Sequence, residues 1–457
     1  MDESQIIAQL IQSGELPTVE KIKSLLPKDT APIPITKPKV VASDTSVEVL
    51  TKEIYQGKKI EVRDFVTYFR NRYNFFKNLF LNRPELSDAV SINKLRPGGK
   101  ATIIVSIFDM KKLPTGTIKL CVEDVTGQLS AIISAKNITL IEKARSLALD
   151  EIVALKGSAS KDNFFVDDII WPDTPQKIRQ KAPDEVYLAC LADPHIGSKM
   201  FLQKEFEKAI KWLRSEYGNN KQRELAKKTK YIVIGGDIVD GVGIYPTQER
   251  ELEIKDIYKQ YEAAAKFLSQ IPDDKHIIVL PGNHDALRIC EPQHALFKDL
   301  AEPLYKLSNV IMAPNPSYVR IHKQENFSGI DLLLYHGYSF DYFVENIEAL
   351  RLAGGYDAID KVWEFLLKRR HLAPTYGATL ALPIEDDPLL IKQIPDIAIS
   401  GHVHKSKIGN YKGVLTIGCS CFQSTTTFQQ KMGHNPDPCR VPLVNLQTGK
   451  ARILRFK

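Results

Sequence analysis

The chain has 457 residues, 43% hydrophobic and 26% charged, with 62 Lys and Arg against 55 Asp and Glu for a net charge of +7. That length exceeds one ordinary core and predicts two or three folded units, while the absence of an apolar run long enough to span a bilayer argues against a membrane protein. The mild basic excess permits nucleic-acid binding without requiring it. The opening residues, MDESQIIAQLIQSGELP, lack the basic-then-apolar layout of an export signal, so a cytoplasmic protein is expected. Cys121, Cys190, Cys290, Cys419, Cys421 and Cys439 form no C-x-x-C unit, so neither a zinc ribbon nor a disulfide framework is indicated.

Residues 1–26 read as a helical module, with Ile6, Ile7, Leu10 and Ile11 on one short amphipathic helix and Val19, Ile22, Leu25 and Leu26 on another. Pro27, Pro32, Pro34 and Pro38 make 27–46 a linker. A helical segment over 47–97 leads onward. In it Phe65, Val66, Phe69, Tyr73, Phe76 and Phe80 are predicted to form one buried stripe, with Arg70, Arg72 and Lys77 on other faces. The helix is expected to stop at Asn82-Arg83-Pro84.

Over 98–171 the pattern becomes strand, strand, strand, helix, strand, strand, the order of an OB-fold barrel. Phe164, Phe165 and Trp171 are its few candidate stacking platforms, which favours a structural, partner-holding role over strand binding. Residues 172–184 have linker composition. From 185 to 457 short apolar runs alternate with helical stretches, which predicts a layered α/β domain.

In this last unit five apolar runs each end in a polar cluster: VYLACLA before Asp193-Pro194-His195, YIVIG before Gly236-Asp237-Ile238-Val239-Asp240, HIIVLP before Gly282-Asn283-His284-Asp285, DLLLY before His336, and DIAIS before Gly401-His402-Val403-His404. Short apolar runs are what buried strands look like, and the loops at strand ends of layered α/β folds converge on the ligand site. Carboxylate, imidazole and amide oxygen suit Mn²⁺, Fe²⁺ or Zn²⁺, and the lack of thiolate argues for an open, catalytic site. Two such cations can share a carboxylate and a water and neutralise charge as phosphorus is attacked. The glycines before Asp237, Asn283 and His402 are expected to let the backbone turn sharply at each strand end.

This set resembles the calcineurin-like metallophosphoesterase signature. The resemblance implies that Asp193, His195 and His404 hold one metal, that Asn283, His336 and His402 hold the other, and that Asp237 bridges them. It also implies that His284 orients the phosphate and protonates the leaving oxygen, and that Asp240 and Asp285 orient histidines. The helical module, tether and barrel ahead of this unit, together with VEVLTKEIYQGKKIEVRDFVTYFRNRY at 47–73 and LLKRRHLAPTYGATLALP at 366–383, are similar to the small subunit of archaeal family D DNA polymerase. That likeness implies a Mn²⁺-dependent 3′→5′ proofreading exonuclease bound to a large catalytic polymerase subunit, with DNA bearing a 3′ end and the sliding clamp as further partners. Lys368, Arg369, Arg370 and His371 are read either as cations that steer the strand by its phosphates or as a solvated helix end. The competing readings are a free-standing repair nuclease, which leaves the barrel unexplained, and a non-catalytic polymerase scaffold, which the intact ligand set opposes.

Overall fold

The computed structural model describes residues 46–53, 59–431 and 434–457; the helical module at 1–26 and nearly all of the linker at 27–46 lie outside them. The first described strand, β1 (Val47–Val49), belongs to the C-terminal α/β domain, where it pairs antiparallel along a sheet edge, so the segment expected to be helical begins as a strand. Helix Val62–Leu81 follows, and the Glu61 backbone N–H donates to the Asp64 carboxylate (2.9 Å) at its start.

The predicted stripe on this helix needs correction. Its buried side chains are Tyr68, Arg72, Tyr73, Phe76 and Phe80, while Val66 and Phe69 stay exposed. The cause is a partner far along the chain. Arg72 turns inward to meet the buried Asp387 carboxylate at 2.8 Å, and Phe76 and Phe80 lie on Ile104, Ile152 and Ala154 of the barrel. A stripe read from hydrophobicity alone cannot place a buried cation.

The barrel strands are β2 (Lys100–Lys112), β3 (Ile118–Asp124), β4 (Gly127–Ile133), β5 (Ile152–Ala159) and β6 (Asn163–Ile170), with helix Ile138–Ala144 between β4 and β5. They close in the order β2-β3-β4-β6-β5, with β4 and β6 parallel and the other neighbours antiparallel. Alternate residues such as Ile103, Val105, Ile107, Leu120, Val122, Val153, Leu155 and Phe164 fill the interior. Residues 172–184 carry no helix or strand yet run pinned along the α/β domain. Lys177 N–H donates to Lys412 O (2.8 Å), Arg179 reaches Gly413 O and Gly449 O, and Ala182 N–H donates to Leu446 O (3.0 Å).

The α/β domain stacks two six-stranded sheets. Its strands are β7 (Tyr187–Leu191), β8 (Thr229–Gly235), β9 (His276–Leu280), β10 (Val310–Met312), β11 (Ser317–Ile321), β12 (Ile330–Leu334), β13 (Ile397–Ser400), β14 (Lys407–Tyr411), β15 (Val414–Gly418), β16 (Arg440–Asn445) and β17 (Ala451–Arg455). One sheet runs β10-β9-β8-β7-β16-β17 and the other β1-β11-β12-β13-β15-β14. Leu188, Cys190, Tyr231, Val233 and Ile278 of the first meet Val319, Leu332, Leu334, Ile397 and Ile417 of the second in one buried cluster. Outward residues of each sheet pack under helices, Gln203–Leu213 and Ile257–Leu268 on one side and Phe340–Asn346 and Ile359–Arg369 on the other. Burial on both faces explains why β7, β8, β9, β12 and β13 read as unbroken apolar runs. Among the described residues no helix is long and apolar enough to cross a membrane.

The basic run at the end of helix Ile359–Arg369 is not a solvated helix end. Arg369, Arg370 and His371 are all buried. Arg369 pairs at 2.6 Å with Glu151 of the barrel, whose carboxylate also accepts from Trp171 Nε1 (3.0 Å) and Ala148 N–H (2.9 Å). Arg370 donates to Ile391 O and Lys392 O (both 2.7 Å), His371 meets Asp387 at 3.0 Å, and Lys368 lies over the Trp171 ring. These cations are spent where barrel, long helix and α/β domain meet.

Candidate metal centre

All five predicted clusters sit at the carboxyl ends of β7, β8, β9, β12 and β13, and they converge because neighbours within each sheet run parallel there. Asp193, His195, Asp237, His402 and His404 hold left-handed backbone, with φ between +48° and +68°. L-residues pay roughly 1–2 kcal/mol each for that conformation, so the surrounding contacts must impose it. Several are visible: His195 N–H donates to Asp237 O (3.1 Å), Asp193 N–H to Gly236 O (3.0 Å), and His402 N–H to both Asp193 oxygens (2.9 and 3.1 Å).

The glycines serve two purposes where one was expected. Gly236 turns the chain, at φ +98°. Gly282 and Gly401 lack positive φ and instead make room: a Cβ on Gly282 would lie 2.2 Å from Asp237 Oδ1, and one on Gly401 2.7 Å from Asp193 Oδ2. Each clears space for a carboxylate delivered by another strand.

Three groups of donors form among the described residues. Asp193, His195 and His404 bring one donor atom each to within 4.8 Å of one another, and so do Asp237, His336 and His402; the third, His195 with Asp240 and His284, shares His195 with the first. Asn283 joins the second group, with Oδ1 2.9 Å from His336 Nε2. Asp237 Oδ2 stands between the first two groups, 3.4 Å from His336 Nε2 and 3.8 Å from His195 Nε2. His284 flanks them, its ring 4.6 Å from that of His195, and its backbone N–H donates to Asp237 Oδ1 (2.7 Å).

Hydrogen-bond chemistry shows that these atoms suit cations. His336 Nδ1 lies 2.8 Å from Gly235 O, and a carbonyl only accepts, so Nδ1 carries a proton and Nε2 is the ring atom left to face a second proton or a cation. Nε2 faces Asn283 Oδ1 at 2.9 Å and Asp237 Oδ2 at 3.4 Å, so whatever sits beside it meets two oxygen acceptors. Burial opposes charge on His336, but the Asp237 carboxylate beside it more than offsets this and pushes the ring up to about 10. The cluster thus draws in a proton where a cation would sit. In the first group His195 Nε2 and His404 Nε2 face each other at 3.1 Å. Burial pushes Asp193 up from the carboxylate range, while Asp237, although buried, is held well below it by His336 and His284.

The supporting residues were partly missed. Asp240 stands 3.1 Å from His195 Nδ1, in poor alignment for a hydrogen bond, and its backbone carbonyl lies 2.9 Å from His284 Nδ1. Gln248 and Gln423 hold the Asp240 carboxylate at 3.2 and 3.0 Å. Asp285, expected to orient a histidine, instead accepts from the backbone N–H of Gly282 (2.8 Å) and staples the loop. Gln429 meets His404 Nδ1 at 3.0 Å and Asp341 meets His402 Nε2 at 2.9 Å. Neither belongs to a recognisable spacing, so no sequence signal pointed to them.

Comparison with known proteins agrees with this geometry. Residues 187–406 match the calcineurin-like phosphoesterase family. The chain is 37% identical over 418 residues to the DNA polymerase II small subunit of Methanothermobacter thermautotrophicus, covering 91% of this chain and 82% of the relative. It is also 37% identical to that of Archaeoglobus fulgidus (92% and 82%) and 32% identical to that of Pyrococcus horikoshii (97% and 71%). A divalent-metal phosphoesterase domain behind a five-stranded barrel, joined to this likeness along nearly its whole length, means that the chain belongs to the family of archaeal DNA polymerase II small subunits.

Proposed function

We propose that the chain is a 3′→5′ proofreading exonuclease subunit that works beside a large catalytic polymerase subunit. The observation that carries this reading is the completeness of the donor set: every strand end supplies its residue, both groups share Asp237, and His284 stands beside them. A subunit kept only as a scaffold has no need to hold five strained residues around two facing sets of lone pairs.

In this reading Asp193, His195 and His404 would hold one cation, Asn283, His336 and His402 the other, with Asp237 available to both; Mn²⁺, Fe²⁺ and Zn²⁺ all suit these oxygen and imidazole donors, and the family resemblance favours Mn²⁺. Bound there, the pair supplies an activated water and neutralises charge at phosphorus. His284 acts on the other side of the bond. The Asp240 carbonyl holds its Nδ1 proton and aims Nε2 outward. Burial lowers the affinity of this ring for a second proton, so it waits neutral until an anionic phosphodiester raises that affinity. It then protonates the 3′ oxygen of the penultimate nucleotide as the terminal nucleotide leaves. The module at 1–26, its tether and the barrel serve in assembly with the large subunit. With Mn²⁺ the chain should trim a mismatched 3′ end, and Asp237→Ala or His284→Ala should stop it; undiminished trimming by both variants sinks the reading.

A further inference from the structure

We infer that Asp341 is a positioning residue that governs the second cation group alone, by fixing the tautomer and orientation of His402. The inference rests on the two-cation reading above. His336 offers Nε2 to the centre, with Nδ1 occupied by the Gly235 carbonyl, and His195 and His404 face each other through Nε2. His402 is the exception: its Nε2 is taken by Asp341 Oδ2 at 2.9 Å. A carboxylate only accepts, so the proton stays on Nε2 and the Nδ1 lone pair is left for the cation.

The placement of Asp341 supports a dedicated role. It lies in the first turn of helix Phe340–Asn346, five residues after His336, so the loop after β12 delivers one ligand and the carboxylate that aims another, on the loop after β13. That helix is anchored by the buried Phe340, Phe343 and Val344 and by Ser339 Oγ, which donates to Leu372 O (2.6 Å). The two groups differ in shelter. The side chain of Asp240, behind His195, is 2% exposed and braced by two glutamines, whereas that of Asp341 is 38% exposed. Carboxylates behind metal-binding histidines are worth about 10–100-fold in affinity. Losing Asp341 should therefore weaken the second group by about that factor and leave the first unchanged.

The test is Mn²⁺ binding to the full chain by equilibrium dialysis, with the melting midpoint of the metal-free protein measured in chelator. Wild type should bind two ions. Asp341→Ala should retain one at wild-type affinity and bind the other about 10–100-fold more weakly, with an unchanged metal-free midpoint, and Asp341→Asn, which keeps an acceptor oxygen, should recover part of the loss. Two ions bound by Asp341→Ala at wild-type affinity, or both sites weakened equally with a lowered metal-free midpoint, would overturn the inference while leaving the two-cation reading intact. A wild-type chain that binds fewer than two ions overturns both.

Discussion

The Arg369–Glu151 pair offers a quantitative test of how barrel and phosphoesterase domain are joined. Both side chains are almost fully buried, 2% and 1% exposed, so solvent screening is no defence when one is removed. In Arg369→Met the Glu151 carboxylate would be left charged and unpaired beside Trp171, and the cheaper course is to take up a proton. Protonating a carboxylate of ordinary pKa about 4.3 at pH 7 costs roughly 3.7 kcal/mol, with about 1 kcal/mol more for the hydrogen bonds Arg369 makes to Phe365 O and Ser146 O. The folded-state pKa of Glu151 in the variant then lies above its unfolded value. Folded chains hold the extra proton, so the variant gains stability as pH falls toward that unfolded value, by about 1.4 kcal/mol per unit. Burial already raises Glu151 in the wild type, so the wild-type to variant difference in urea denaturation, followed by tryptophan fluorescence, should shrink by up to about 2 kcal/mol between pH 7 and pH 5.5. Adding Glu151→Gln should recover most of the loss at pH 7. A difference that ignores pH, or a double variant no better than the single one, would refute a buried charged pair at this junction.

Two further outcomes are expected. Gly282→Ala would set a Cβ 2.2 Å from Asp237 Oδ1 and 2.6 Å from His336 Cε1, where about 3.4 Å is an ordinary contact, so the proposed nuclease activity should fall on the order of 100-fold with divalent-metal binding weakened; wild-type activity would contradict the tight packing of these loops. His371 is pushed down to about 4 by burial and by nearby Arg72, and its neutral ring is satisfied on both sides, donating to Asp387 and accepting from Ala373 N–H. The unfolded chain therefore takes its proton first, so stability present above about pH 6.5 should drain away toward pH 4, by up to about 3 kcal/mol, and His371→Gln should flatten that slope.

How much of this was legible beforehand follows from where the physics is local. The ends of β7, β8, β9, β12 and β13 could be read because strands buried on both faces leave continuous apolar runs, and the polar residues that break them mark the loops. Eight candidate residues, Asp193, His195, Asp237, Asn283, His284, His336, His402 and His404, were found that way, and the barrel followed from its element order. The rest depended on partners distant in the chain. Nothing near Arg72 announces Asp387, 315 residues on, and nothing in Lys368-Arg369-Arg370-His371 announces Glu151 and Trp171, so an interior junction read as a charged surface. Gly282 and Gly401 looked like turn formers until Asp237 and Asp193 were seen to fill the space a Cβ would take. Asp341 and Gln429 were invisible because a residue that aims a histidine needs only one correct contact and no spacing. Hydrophobic periodicity and ligand chemistry belong to the sequence, because each needs only its neighbours; which charge is buried, which glycine yields space and which carboxylate holds a ring were decided when the chain brought remote residues within 3 Å of each other.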